Sequence, residues 1–160
     1  MATNDPYVKK LVTTDFYAQK LPLKGRIVAV LRGTVEGRNL ELIPQPSRAV
    51  KAGEIHEFIA TCEDVAPGSK VSQIAYLCFV EFETGGILLR GDEVVLDGKV
   101  VGTIAGFDMS HQPNHMNIVV KVESLLSGED RGLKSGAAAL IRMPAAVRPL
   151  EHPANQAGRS

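Results

Sequence analysis

The sequence predicts an all-β fold: a small closed or split antiparallel β-barrel of about eight or nine strands, preceded by an N-terminal arm. Three observations predict it. Short runs rich in β-branched residues recur between Gly, Pro and Asn/Asp turn signals, and helical periodicity is almost absent. Lys51-Ala52-Gly53-Glu54, Leu89-Arg90-Gly91-Asp92 and Lys134-Ser135-Gly136-Ala137 each set a glycine just before an apolar run, where a tight entry suits a curved strand. Trp is absent and aromatic residues make up only 5%, which fits a barrel core of small side chains. Closure also removes exposed strand edges.

Residues 1–23 mix polar and apolar types and read as an arm. Lys24-Gly25 opens Arg26-Ile27-Val28-Ala29-Val30-Leu31, a β-branched run. Arg32-Gly33 and Glu36-Gly37-Arg38-Asn39 are turn signals, and Leu40 to Ile43 is expected to pair back as a hairpin arm. Pro44-Gln45-Pro46-Ser47 stops that strand. Ile55 to Cys62 alternates, with Glu54, His56, Phe58, Ala60 and Cys62 on one face and Ile55, Glu57, Ile59 and Thr61 on the other. Pro67-Gly68-Ser69 is a turn. Val71 to Phe82 is apolar on both faces, which points to a central strand or one that bends between sheets. Thr84-Gly85-Gly86 turns the chain into Ile87 to Arg90. Asp97-Gly98 is a hairpin signal joining Glu93–Leu96 to Lys99–Phe107. Met116 to Val122 alternates again, and Ala137 to Met143 closes the series before Pro144. This gives an arm over 1–23, a barrel domain over 24–148 and a small, polar tail over 149–160.

A chain of 160 residues with 22% charged residues is of ordinary globular composition and large enough for one core. Its formal net charge of zero argues against nucleic acid as the main partner. The N-terminus has no apolar leader region, and the longest apolar run, Ile74 to Val80, is far short of a membrane span of about 20 residues. A cytoplasmic protein without a membrane partner is therefore expected. Cys62 and Cys78 read as two buried thiols in a reducing compartment. The zero is uneven: +4 over 1–32, −8 over 33–130 and +4 over 131–160. Basic termini around an acidic body make self-association into a homo-oligomer one reading. The acidic body suits a cationic ligand, and an anion would need a local cluster of the scattered arginines.

Gly91-Asp92-Glu93-Val94-Val95-Leu96-Asp97-Gly98, Val101-Gly102-Thr103-Ile104-Ala105-Gly106, the polar loop after it, and Ile118-Val119-Val120-Lys121-Val122 carry a resemblance. Residues 91–122 resemble the C-terminal half of the glucitol/sorbitol-specific IIA component of the sugar phosphotransferase system. The resemblance implies a split β-barrel. It also implies a phosphorylated histidine upstream; His56 is the only histidine there, and no motif around it matches the family's.

The densest polar cluster is Asp108-Met109-Ser110-His111-Gln112-Pro113-Asn114-His115-Met116-Asn117. Pro113 excludes a regular helix, so His111 and His115 can converge only as a loop allows. A His–carboxylate pair can act as base and acid, which makes His111, His115, Asp108 and His56 the candidate catalytic residues. Asn114, Asn117, Glu54 and Tyr76 are the candidate ligand-binding residues. His111 and His115 with Asp108, Glu54 or His56 would form an N/N/O set, but no third ligand has diagnostic spacing, so no metal is expected. The phosphate- and dinucleotide-binding glycine patterns are absent, and no cofactor can be named. The expected function is small-molecule binding at the barrel mouth through the 108–117 loop and His56, as a carrier or accessory module. The alternatives are a cofactor-independent lyase, isomerase or cyclase with a histidine base, and an assembly protein that oligomerises through its termini.

Overall fold

The computed structural model describes residues 16–145; the tail over 149–160 and most of the predicted arm lie outside them. The described residues form twelve strands: β1 (Leu23–Val30), β2 (Thr34–Val35), β3 (Leu40–Glu41), β4 (Ser47–Val50), β5 (Ile55–Thr61), β6 (Lys70–Val71), β7 (Ile74–Phe82), β8 (Gly86–Leu89), β9 (Glu93–Leu96), β10 (Lys99–Asp108), β11 (Asn117–Lys121) and β12 (Ala138–Arg142). Seven of them close a ring in the order β1-β12-β9-β10-β11-β5-β7, with β7 returning to β1. The fold is all-β and barrel-like. One part of the expectation is corrected: β11 and β5 run parallel. Strand direction must alternate around an all-antiparallel ring, so a ring with an odd number of strands needs at least one parallel neighbour pair. The other six pairings are antiparallel.

The three glycine-led segments are one turn used three times. In each, the fourth residue's N–H donates to the first residue's carbonyl: Glu54 to Lys51, Asp92 to Leu89 and Ala137 to Lys134. The third residue, Gly53, Gly91 or Gly136, sits at φ +94°, +93° and +93°, as a type II turn requires. Each glycine N–H then donates to a neighbouring strand, at Phe82, Ile104 and Ile27 respectively. At the Asp97-Gly98 hairpin both central residues have positive φ, the twist that suits a two-residue β-turn.

The β-branched runs fill the barrel. Phe58, Phe82 and Phe107 are fully buried there with Leu23, Ile27, Leu77, Leu96 and Ile118. The core thus holds three of the five phenylalanines rather than only small residues. Register shifts in the β1–β7, β5–β7, β9–β10 and β10–β11 pairings bend the wall as a tight barrel demands. The shift in β7 places both Leu77 and Cys78 in the core, which is why that strand reads as apolar on both faces. Gly102, at the β9–β10 shift, lets β11 approach closely, since a Cβ there would lie 2.0 Å from the Lys121 carbonyl oxygen.

A second apolar layer lies outside the wall. Leu40, Leu42, Val71 and Ile74 pack on Ile59, Ala105 and Val119, the outward residues of β5, β10 and β11. The expected pairing of Leu40–Ile43 with the first strand is corrected here. β3 pairs with β6 instead, because its leucines are needed to cover the outer wall. Strands β2, β4 and β6 were not separable in the sequence: each is only two to four residues long. Both cysteines are free, but Cys62 is exposed, which corrects its expected burial: β5 ends at Thr61, one residue earlier.

Candidate functional site

One cross-strand row organises the site. Asp108 of β10 lies opposite Asn117 of β11, Asn117 opposite Glu57 of β5, and Glu57 opposite Phe79 of β7. Their neighbours Phe107, Ile118, Phe58 and Val80 point into the barrel, so the row faces outward. At this end of the wall the apolar outer layer gives way to polar side chains.

The loop after Asp108 folds over the row. The N–H groups of Asn114 and His115 both turn back to the His111 carbonyl, at 2.9 and 3.3 Å. This single turn, containing a cis Gln112–Pro113 bond, brings the two imidazoles together as the spacing allowed. Their rings stack with centroids 5.1 Å apart and planes 23° from parallel. His115 also meets the Phe79 ring edge-on at 5.0 Å. Its Nε2 lies 3.1 Å from Glu57 Oε1, and its Nδ1 lies 2.8 Å from Asn114 Nδ2. An amide nitrogen donates, so Nδ1 accepts and the ring proton sits on Nε2, facing the carboxylate. The His115 and Glu57 side chains are 11% and 9% exposed. Burial pushes the Glu57 carboxyl above its ordinary range, against the opposing pull of His115, His111 and Arg38.

Arg38 completes the array from the loop between β2 and β3. Its Nη2 lies 3.1 Å from His111 Nε2. A guanidinium can only donate, so this nitrogen is an acceptor and the His111 proton is on Nδ1. The Arg38 backbone is held between Gly37 and Asn39, both at positive φ. The Gly37 and Arg38 N–H groups donate to the Ser72 hydroxyl and carbonyl oxygens. A carboxylate, two imidazoles and a guanidinium from three chain segments thus form one chain of contacts: Glu57, His115, His111, Arg38.

Of the expected site residues, His111, His115 and Asn114 come together here. Asp108 does not take part in the histidine pairing. Its Oδ1 accepts from the Ser110 N–H, the Ser110 hydroxyl and Asn117 Nδ2, and its Oδ2 accepts from the Glu41 N–H. It is a buried anchor for the loop. Asn117 is fully buried beside it, with Oδ1 unpartnered among the described residues. Tyr76 packs half-buried in the outer apolar layer.

His56 and Glu54 lie apart from the other site residues. His56 contacts Phe82 inside the barrel, on the opposite side of the wall from His115. Its Nδ1 accepts from the Met116 N–H, so Nε2 donates to Glu54 Oε1 at 2.7 Å. Both nitrogens of the histidine singled out by the phosphotransferase resemblance are therefore engaged. Burial raises the Glu54 carboxyl, but bonds from His56 and the Lys51 N–H outweigh it and leave it below its ordinary value. Burial and the negative Glu57 push the Cys78 thiol up to about 12, which makes it a poor nucleophile. Among the described residues no three His, Cys, Asp or Glu side chains are grouped to hold a metal ion, and no helix is long and apolar enough to cross a membrane.

Sequence reasoning missed Glu57 and Arg38 as members of the array. The signal for Glu57 was alternation: it falls on the face opposite His56, and Asn117 falls opposite Met116. In the sequence Arg38 is a turn residue and one of the scattered arginines that could bind a carboxylate or phosphate, with nothing to single it out.

No curated protein and no solved structure matched the chain in comparison. Residues 17–142 match the model of a family of unknown function, DUF6917, and the chain belongs to that family.

Proposed function

We propose that this protein is a binding module that takes a small polar molecule on the outer ledge built from Arg38, His111, Asn114 and His115. The observation that carries this reading is the locked array itself. Three segments far apart in sequence are tied into one polar surface by hydrogen bonds and ring stacking. A pre-formed surface binds without the cost of ordering its side chains. The barrel interior, by contrast, is packed with apolar side chains. Binding is favoured over a histidine base because His115 Nδ1, the nitrogen left basic by the Glu57 contact, is covered by the Asn114 amide.

The test is a fragment screen followed by backbone amide NMR on the full chain. Bound fragments should shift the signals of Arg38, His111 and His115 and lose that effect in His111→Ala. Hits that all shift residues of the barrel interior or of a distant surface, with the ledge silent, would overturn the proposal.

A further inference from the structure

Arg38 differs from the other arginines whose contacts are defined. Arg26, Arg32 and Arg142 face carboxylates, and Arg90 and Arg131 donate to backbone carbonyls. Arg38 has no carboxylate within 4 Å among the described residues, and its one side-chain bond there goes to an imidazole. A guanidinium carries five N–H donors, so most of its donor capacity is unspent. The adjoining loop exposes two further donors, the His111 Nδ1–H on the side of its ring away from Arg38 and the Asn114 amide against His115. Asn114 and His111 are exposed, whereas the negative partner, Glu57, is buried beneath the rings. The accessible layer therefore offers donors and one cation, and the anion lies below.

We propose that the ledge is an oxyanion site: it takes the carboxylate or phosphate of a small molecule, held by the unspent N–H donors of the Arg38 guanidinium at the edge of the histidine loop. This rests on the binding reading above and names its ligand class. Arginine suits the task because its planar fork matches carboxylate and phosphate oxygens. The mainly acidic body opposes anions at long range, but cell salt screens that field beyond about 8 Å. Contact donors then decide. The cleft of about 220 Å³ between Glu63, Arg90, Thr103 and Lys121 is a weaker competitor, because Lys121 is paired with Asp64 and Arg90 is spent on Ala105 and Val65.

The test is NMR titration of the labelled full chain, at constant ionic strength set with chloride, using inorganic phosphate, acetate and neutral acetamide. Phosphate or acetate should give saturable shifts at Arg38, His111 and Asn114, and acetamide none. Arg38→Gln should weaken the effect at least tenfold, and Arg38→Lys should restore part of it. Lys121→Ala should leave it unchanged. Equal shifts with acetamide, shifts centred on Arg90 and Lys121, or no saturable shift with either anion would overturn the oxyanion assignment. The last result, together with fragment hits on the ledge, would leave the binding reading standing; ledge silence in both experiments removes both.

Discussion

At the scale of single residues, two aspects of polarity have to be separated: how a group is satisfied and what it leaves over. Asp108 spends its carboxylate on four donors and is 2% exposed. Truncating it strands buried N–H groups. Asp108→Ala is expected to cost about 2–4 kcal/mol, whereas exposed His111→Ala should stay within about 0.5 kcal/mol; urea unfolding of both variants measures the contrast. Glu57 makes a different prediction. Its carboxyl is raised by burial, so the folded state holds a proton that the unfolded state releases near 4.5. The stability it contributes is complete below that value and is lost as pH climbs through the raised one. Wild-type stability should therefore decline over this interval, and Glu57→Gln should decline less. The glutamine keeps an acceptor for His115 Nε2. Asp92, raised by burial in the same direction, remains in the variant, so the slope is reduced rather than abolished. Urea unfolding across about pH 4.5 to 7 reads this directly. An unchanged slope would show that Glu57 titrates alike in both states. His111, His115 and Asn114 were legible as a polar cluster in ten residues. Asp108's structural role was legible only in part: its bonds from Ser110 and Asn117 arise within the same ten residues, but the Glu41 N–H that fills its other oxygen comes from a distant segment.

At the scale of elements, the recurring Gly turn was the clearest local message. All three copies close the same four-residue bond and send a glycine N–H to another strand. The turn before β9 has one further tie. Lys20 Nζ lies 2.7 Å from Asp92 Oδ2, with the side chains 7% and 1% exposed. This pins the end of the arm onto the strand entry. Burial pushes the Asp92 carboxyl up while Lys20 pulls it back. Removing the lysine leaves a buried acid without its partner, so Lys20→Met is expected to cost about 3–5 kcal/mol. Adding Asp92→Leu should recover part of that: it removes the unpaired acid, but the buried Leu89 N–H that donates to Asp92 Oδ2 then loses its acceptor. Chemical denaturation of the single and double variants decides it; a double variant as weak as the single would overturn the argument. Residues 1–23 read in the sequence only as an arm, and nothing in the local composition shows that the Lys20 side chain is buried.

At the scale of the whole molecule, closure with seven strands requires a parallel step, and β5–β11 supplies it. That step sets Glu57 beside Asn117, and the loop entering β11 carries His115 onto Glu57. The ledge is therefore a consequence of how the ring closes. The sequence by itself determined the strand alternation, the three glycine turns, the Asp97-Gly98 hairpin and the polar loop. These depend on residues near one another along the chain, where φ preferences and two-residue periodicity act directly. Only the tertiary structure decided the parallel step, the outer layer built by β3 and β6, and the meeting of Arg38, Glu57 and the two histidines. Those depend on which strand lies beside which, and that is settled by packing the whole core at once.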